Sequence, residues 1–142
     1  MIGILNELLA VESANLLPRL AESNAFISWA SADEVESVGR MVAEERAHVE
    51  WLVELILDLR GSPGPRVGTI DAAALHYVEL HALLPRIERA EADVLKRYET
   101  LAPALGAEPR AAALVSRITA RHREHLEQLR RIMRDHTVTS KV

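Results

Sequence analysis

Glu45 and His48 stand three residues apart in this chain, and so do His122 and His125. On an α-helix that spacing keeps two side chains within about 60° of each other and about 4.5 Å along the axis, so each pair can converge on one small volume. Carboxylate oxygen and imidazole nitrogen together suit iron, manganese or zinc. A Glu-x-x-His by itself is common surface decoration on helices. These pairs gain weight from where they fall. Val38, Met41, Glu45, His48, Leu52, Leu55 and Leu59 follow one another at intervals of three and four residues, as do Ala111, Val115, Ile118, His122, His125, Leu129 and Ile132. That interval marks the inward seam of a packed helix.

Two further stripes carry one carboxylate each: Leu5, Leu8 or Leu9, Glu12, Leu16 and Leu20, and then Leu84, Ile87, Glu91, Leu95 and Tyr98. The apolar faces therefore hold Glu12, Glu45, His48, Glu91, His122 and His125. A buried carboxylate without a partner costs several kcal/mol, and three in one place repel one another. Something positive belongs between them. The chain has no Cys, which excludes thiolate ligands, disulfides and thiol chemistry. No nucleophilic triad, phosphate loop or nucleotide motif competes with a metal reading.

The elements that must position these groups are helices. Half of the residues are hydrophobic (49%), only 4% are aromatic, and Gly and Pro number six each, a bias toward helix formers and away from strand formers. The spacing predicts one helix from Ile4 to Ala30 and a second, capped by Ser31 or Asp33, running to Arg60. A third follows from Ala72, capped by Asp71, to Leu101, and a fourth from Pro109 to Asp135. Pro18 and Pro85 are expected to kink the first and third. Turn residues cluster from Gly61 to Gly68. The connection there is long enough to return along most of a bundle, which gives two antiparallel hairpins joined by a crossover loop. The expected architecture is thus all-α, with a four-helix domain over residues 1–136 and a flexible tail over 137–142.

Heights along the helices agree with this topology. Measured from Ser31, Glu12 lies about 28 Å back and Glu45 about 21 Å forward; from Gly106, Glu91 and His122 lie about 23 and 24 Å away. All six groups fall near one level, and the two hairpins repeat approximately. The formal charge of −4 gives no basic footprint for nucleic acid or anionic membrane. No apolar run approaches the roughly 18 residues of a membrane span, and the first residues lack signal-peptide features. A cytoplasmic protein is expected.

With these residues in place, the sequence resembles the ferritin-like superfamily of di-iron and di-manganese carboxylate proteins, among them rubrerythrins and bacterioferritins. The resemblance covers residues 5 to 135 and rests on Glu12, on Glu45-Arg46-Ala47-His48, on Glu91 with Leu95 and Tyr98, and on His125 with its partner His122. It implies two metal ions, iron first, with manganese and zinc compatible. It also implies reaction with O2 or peroxide, oxidising either Fe(II) itself or a small organic molecule. In that scheme Glu45 bridges the ions, Glu12 with His48 and Glu91 with His125 flank them, and His122 completes the second ion. The family has a Glu where this chain has His122. A neutral imidazole offers one lone pair, so His122 is expected to bind one ion and not to bridge. Two divalent ions against three Glu then leave one positive charge. If the site is divided, a tight ion is expected near Glu12, Glu45 and His48 and a weaker one near Glu91, His122 and His125. The competing reading is a non-catalytic bundle that uses a structural ion, or a His-Glu network, and binds a protein partner.

Other polar residues are given plainer roles. Tyr98 is placed equally well as a hydrogen-bond donor to a ligand carboxylate or as core packing. Asn15, three residues after Glu12, is read first as a boundary residue and second as a hydrogen-bond donor to a ligand; Arg19 is read as a surface residue before a carboxylate partner, and His76, His81 and His136 as solvent-facing. Glu44, Glu50, Glu54, Glu88, Glu99 and Glu124 are read as solvated helix charges. Trp29 and Trp51 are placed equally well in a homodimer contact or at the edge of the core.

Overall fold

The computed structural model describes residues 1–15, 17, 31–65 and 80–140, and of these the side chains of 80–83 and 136–140 lie outside the description. Its helices are α1 (Ile2–Ser13), α2 (Ala32–Asp58), α3 (Leu80–Leu101) and α4 (Pro109–Ser140), with a 3₁₀ turn over Ala102–Leu105. No strand occurs among the described residues.

Local chemistry accounts for the helix ends. Ser31 Oγ accepts from the Glu34 amide at 3.2 Å while the Ser31 amide donates to the Glu34 carboxylate at 2.9 Å. This reciprocal cap starts α2, so Ser31 rather than Asp33 is the cap. At the other end Arg60 takes a positive φ of 65°, its amide reaches the Leu57 carbonyl, and the Gly61 amide reaches Ile56. That pair of bonds is a Schellman closure. Glycine is needed one position later, at Gly61, because a Cβ there would stand 2.7 Å from Ile2. At the start of α4, Pro109 supplies a preset φ and the Glu108 carboxylate accepts from the Arg110 amide at 3.2 Å.

Side-chain pairs fix the directions of the helices. Between α1 and α2, Asn6 bonds Ser62 and Gly64, Glu12 meets His48, and Asn15 meets Glu45. Rising numbers on α1 meet falling numbers on α2, so the two are antiparallel. Glu88 with Arg130 and Glu91 with His122 show the same for α3 and α4. Ser37 with Gln128 and Glu44 with Arg121 set α2 antiparallel to α4. Glu12 with Tyr98 and Asn15 with Glu91 pair α1 with α3. The described helices α2 and α3 therefore run parallel across the diagonal. The expected pair of antiparallel hairpins is what the structure has, while the expected crossover falls largely on residues 66–79, outside the described residues.

Two boundaries and one buried position differ from the sequence reading. The first helix breaks: Ser13 is its last residue, Ala14 and Asn15 leave the helical path, and Leu17 is helical again. The last helix continues to Ser140 instead of ending at Asp135. On α3 the buried position is Val94, with Leu95 only half-buried. Pro85 sits inside α3 as expected. Pro18, Arg19, Trp29, Asp71, His76, Lys141 and Val142 lie outside the described residues, as do the side chains of His81 and His136.

The core has two apolar parts. One contains Leu17, Val38, Met41, Val42, Leu84, Ile87, Leu129 and Ile132. The other is built on Leu5, Leu8, Leu9, Leu52, Ile56, Val94, Tyr98, Val115 and Ile118. The polar residues of the four seams separate them.

Candidate metal centre

All six seam residues are buried: Glu12, Glu45, His48, Glu91, His122 and His125 each expose 2% or less. Every one of the four described helices contributes, because each carries its polar residue at the middle of an otherwise apolar stripe. Apolar side chains above and below keep bulk water away, which strengthens every interaction in the layer.

His122 is the hub. Its Nε2 contacts Glu12 Oε1, and its Nδ1 lies 2.5 Å from Glu91 Oε1 and 3.6 Å from Glu45 Oε2. His48 Nδ1 approaches Glu12 Oε1 at 3.3 Å. His125 Nδ1 lies 2.7 Å from Glu45 Oε2. Tyr98 donates its hydroxyl to Glu12 Oε1 at 2.8 Å, so of its two sequence-level roles the hydrogen bond is realised, alongside packing.

Two residues were placed elsewhere by the sequence reading. Asn15 is no boundary residue: it is 4% exposed, and its Nδ2 donates to Glu91 Oε2 at 3.0 Å and also to Glu45 Oε1. The break after Ser13 carries it inward, and the second of its two sequence-level roles, donor to a carboxylate of the layer, is the one the structure has. Glu44 is no plain solvated charge. Its Oε2 lies 2.7 Å from His125 Nε2, and Arg121 grips both of its oxygens at 2.6 to 3.0 Å. Its adjacency to Glu45 was the one signal in the sequence. Glu124 does point away from the core, to Arg121. Trp51 packs against the second apolar cluster and carries the Arg117 guanidinium 4.3 Å above its ring.

The electrostatics are uneven. Burial pushes the Glu12 carboxyl up, and the His122 and His48 imidazoles more than reverse this, to about 2. Burial lowers His122, yet the Glu12 and Glu91 carboxylates lift it to about 10. Glu45 is pushed well above the usual carboxylate range by burial and by the facing Glu91 and Glu12 carboxylates. Glu91 is raised by burial but brought below its ordinary value by His122. Burial lowers His125. Without an ion, the His122 imidazolium is the positive charge that faces the Glu12 and Glu91 carboxylates.

That charge does not satisfy the layer. Among the described residues, Glu12 Oε2, Asn15 Oδ1 and both ring nitrogens of His48 are buried without a hydrogen bond. Such atoms are rare in folded proteins, and each costs about 1–3 kcal/mol. Donor atoms from Glu12, His48 and His122 all lie within 4.8 Å of one another, and so do donor atoms from Glu45, Glu91, His122 and His125. Two atoms bound to one ion at a right angle, with bonds of about 2.1 Å, stand about 3 Å apart, close to the separations found here. The orphaned atoms, their spacing and their hard oxygen and nitrogen character all fit a metal. The grouping departs from the expected one: Glu45 gathers with Glu91 and His125, not with Glu12 and His48, and His122 belongs to both sets.

A cavity of about 220 Å³ between α2 and α4 ends at His125, walled by Glu44, Arg121, Arg40 and Gln128. Among the described residues no helix is long and apolar enough to cross a membrane.

In sequence, residues 1–131 match the family described as "Domain of unknown function (DUF6306)". No curated protein matches the chain. In structure the chain is similar to a protein of Bacillus anthracis str. Ames described as "ferritin like, diiron-carboxylate proteins". The TM-score is 0.69 at 21% identity, covering 93% of this chain and 94% of that one. The likeness shows the fold, a ferritin-like four-helix bundle.

Proposed function

The chain belongs to the DUF6306 family of unknown function, and from its ferritin-like fold we propose that it is a metal-binding protein with a two-ion centre held by Glu12, Glu45, His48, Glu91, His122 and His125. Iron is the metal we assign, and oxidation dependent on O2 or peroxide is the activity. The observation that carries the reading is the set of buried, unbonded donor atoms on Glu12 and His48 within a layer where three carboxylates face three imidazoles. Two ferrous ions bound there would supply the electrons for reducing O2 or peroxide.

The residues of the chain perform the remaining tasks. Glu12 and Glu91 are held as carboxylates by His122, ready to act as anionic ligands. Tyr98 fixes the orientation of Glu12, and Asn15 holds Glu45 and Glu91 together. Glu44 fixes the ring of His125 from behind, the usual service of a carboxylate to a ligating histidine. The two apolar clusters exclude water. The cavity at His125 gives a small oxidant or substrate its approach.

A second reading rests on His122, whose two nitrogens already meet carboxylates without an ion. In it, the layer is a bracing network inside a non-catalytic bundle. Metal analysis of the purified protein, then anaerobic loading with Fe(II) and exposure to O2, separates the two. The metal reading expects near-stoichiometric iron and a ferric absorption band that Glu45→Ala abolishes. Failure of both wild type and Glu45→Ala to bind metal would sink it and leave the bracing network.

A further inference from the structure

Given the metal centre proposed above, on which this inference rests, we infer that His122 is the bridging ligand, binding one ion through Nε2 and the other through Nδ1, and that the two ions stand on opposite sides of its ring. Three observations lead there. First, His122 is the one residue shared by the two donor groups, while Glu45, the carboxylate expected to bridge, belongs to a single group. Second, the two ring nitrogens face different partners: Nε2 meets Glu12, whose neighbour is His48, and Nδ1 meets Glu91 and Glu45, whose neighbour is His125. Third, both oxygens of Glu45 are already engaged on one side, Oε1 by Asn15 and Oε2 by His125. The contacts of Glu45 thus turn both of its oxygens toward the Asn15 and His125 side.

The charge of the assembly agrees. Two divalent ions bring four positive charges and the three carboxylates return three. When the second ion binds, it takes the place of the proton on the His122 ring, which leaves to solvent, and the ring becomes an anion. The sum is then zero without an added hydroxide or carboxylate. A histidine at the position where the resemblance leads one to expect a glutamate thus restores the missing charge, but through a longer bridge. Oxygen-bridged pairs of ions lie roughly 3.5–4 Å apart. Two metal–nitrogen bonds of about 2 Å on either side of the imidazole ring place the ions about 6 Å apart.

The test is the separation of the ions in the full chain loaded anaerobically with two equivalents of Fe(II). Metal analysis gives the stoichiometry, and anomalous diffraction at the iron edge with X-ray absorption on the same sample gives the distance. The expected result is two irons per chain about 6 Å apart, with no iron–iron scattering in the roughly 3.5–4 Å range. His122→Glu is expected to bring that short shell back. A short iron–iron distance in the wild-type protein overturns the bridge and leaves the metal centre standing. One iron per chain also overturns it, and so does a separation that His122→Glu leaves unchanged. If no iron binds, the metal centre itself falls. The wild-type measurement decides even where the variant fails to fold.

Discussion

The two donor groups that meet at His122 are built differently. The Glu12 and His48 side is sealed: three of the four unbonded atoms of the layer are here, and the groups that support it are buried. The Glu45, Glu91 and His125 side has four donors, is cross-linked by Asn15, and is backed by Glu44 and Arg121 at the edge of a cavity. One side is short of partners and closed to solvent, while the other is well partnered and reachable. An ion contributes more on the first side and arrives more readily on the second.

Removing a donor gives the largest effect. Glu12→Ala removes the carboxylate of the sealed side and leaves only the rings of His48 and His122 there, and iron stoichiometry is expected to fall from two to one. Loss of both ions, read by metal analysis, would show that the two groups do not bind independently.

Loading comes next. A ligand at a hundred times its Kd adds about 2.7 kcal/mol of stability, which for a chain of this size raises Tm by about 5–10 °C. The rise has a pH signature. Burial lowers His122, but Glu12 and Glu91 hold it at about 10 in the folded protein. A group raised in this way gives stability that is complete below its unfolded value of about 6.5 and is lost as pH climbs through the folded one. Tm of the metal-free protein is therefore expected to fall between these limits, and iron, which displaces the proton, to remove that part of the slope. An identical slope with and without iron would place His122 outside the metal site.

Glu44→Ala acts on the reachable side alone. Loss of a carboxylate behind a ligating histidine typically weakens metal binding about 10- to 100-fold. One of the two iron affinities in a titration is expected to drop by that factor while the other holds.

What the sequence disclosed and what it concealed divide along the same line. Glu12, Glu45, His48, Glu91, His122 and His125 could be found because each interrupts an apolar stripe at helical spacing, and such a stripe faces inward whatever the partner helices are. The crossover was expected from turn residues at Gly61 to Gly68. Asn15 was half legible: its spacing from Glu12 offered a donor role, but its position depends on a break in the helix, where periodicity stops being informative. Glu44 was hidden because it lies beside the seam, and only the packing of α2 on α4 brings it to His125. The division of donors was out of reach for a related reason: spacing along each helix gives heights, whereas which nitrogen of His122 faces which carboxylate depends on how four helices are rotated about their axes.

Tyr98→Phe is the smallest and most selective change, and it mirrors Glu44→Ala. The hydroxyl donates to Glu12 Oε1 from within the second apolar cluster, and its removal leaves the ring in place. Glu12 keeps His122 and His48 as partners, so the loss falls at the low end for a group that orients a ligand, about tenfold in affinity. The expected titration weakens the ion on the sealed side and spares the one that Glu44→Ala affects. If both substitutions weaken the same ion, the two donor groups act as one site and the contrast between them disappears. If each weakens its own, the centre is two half-sites that share a single imidazole.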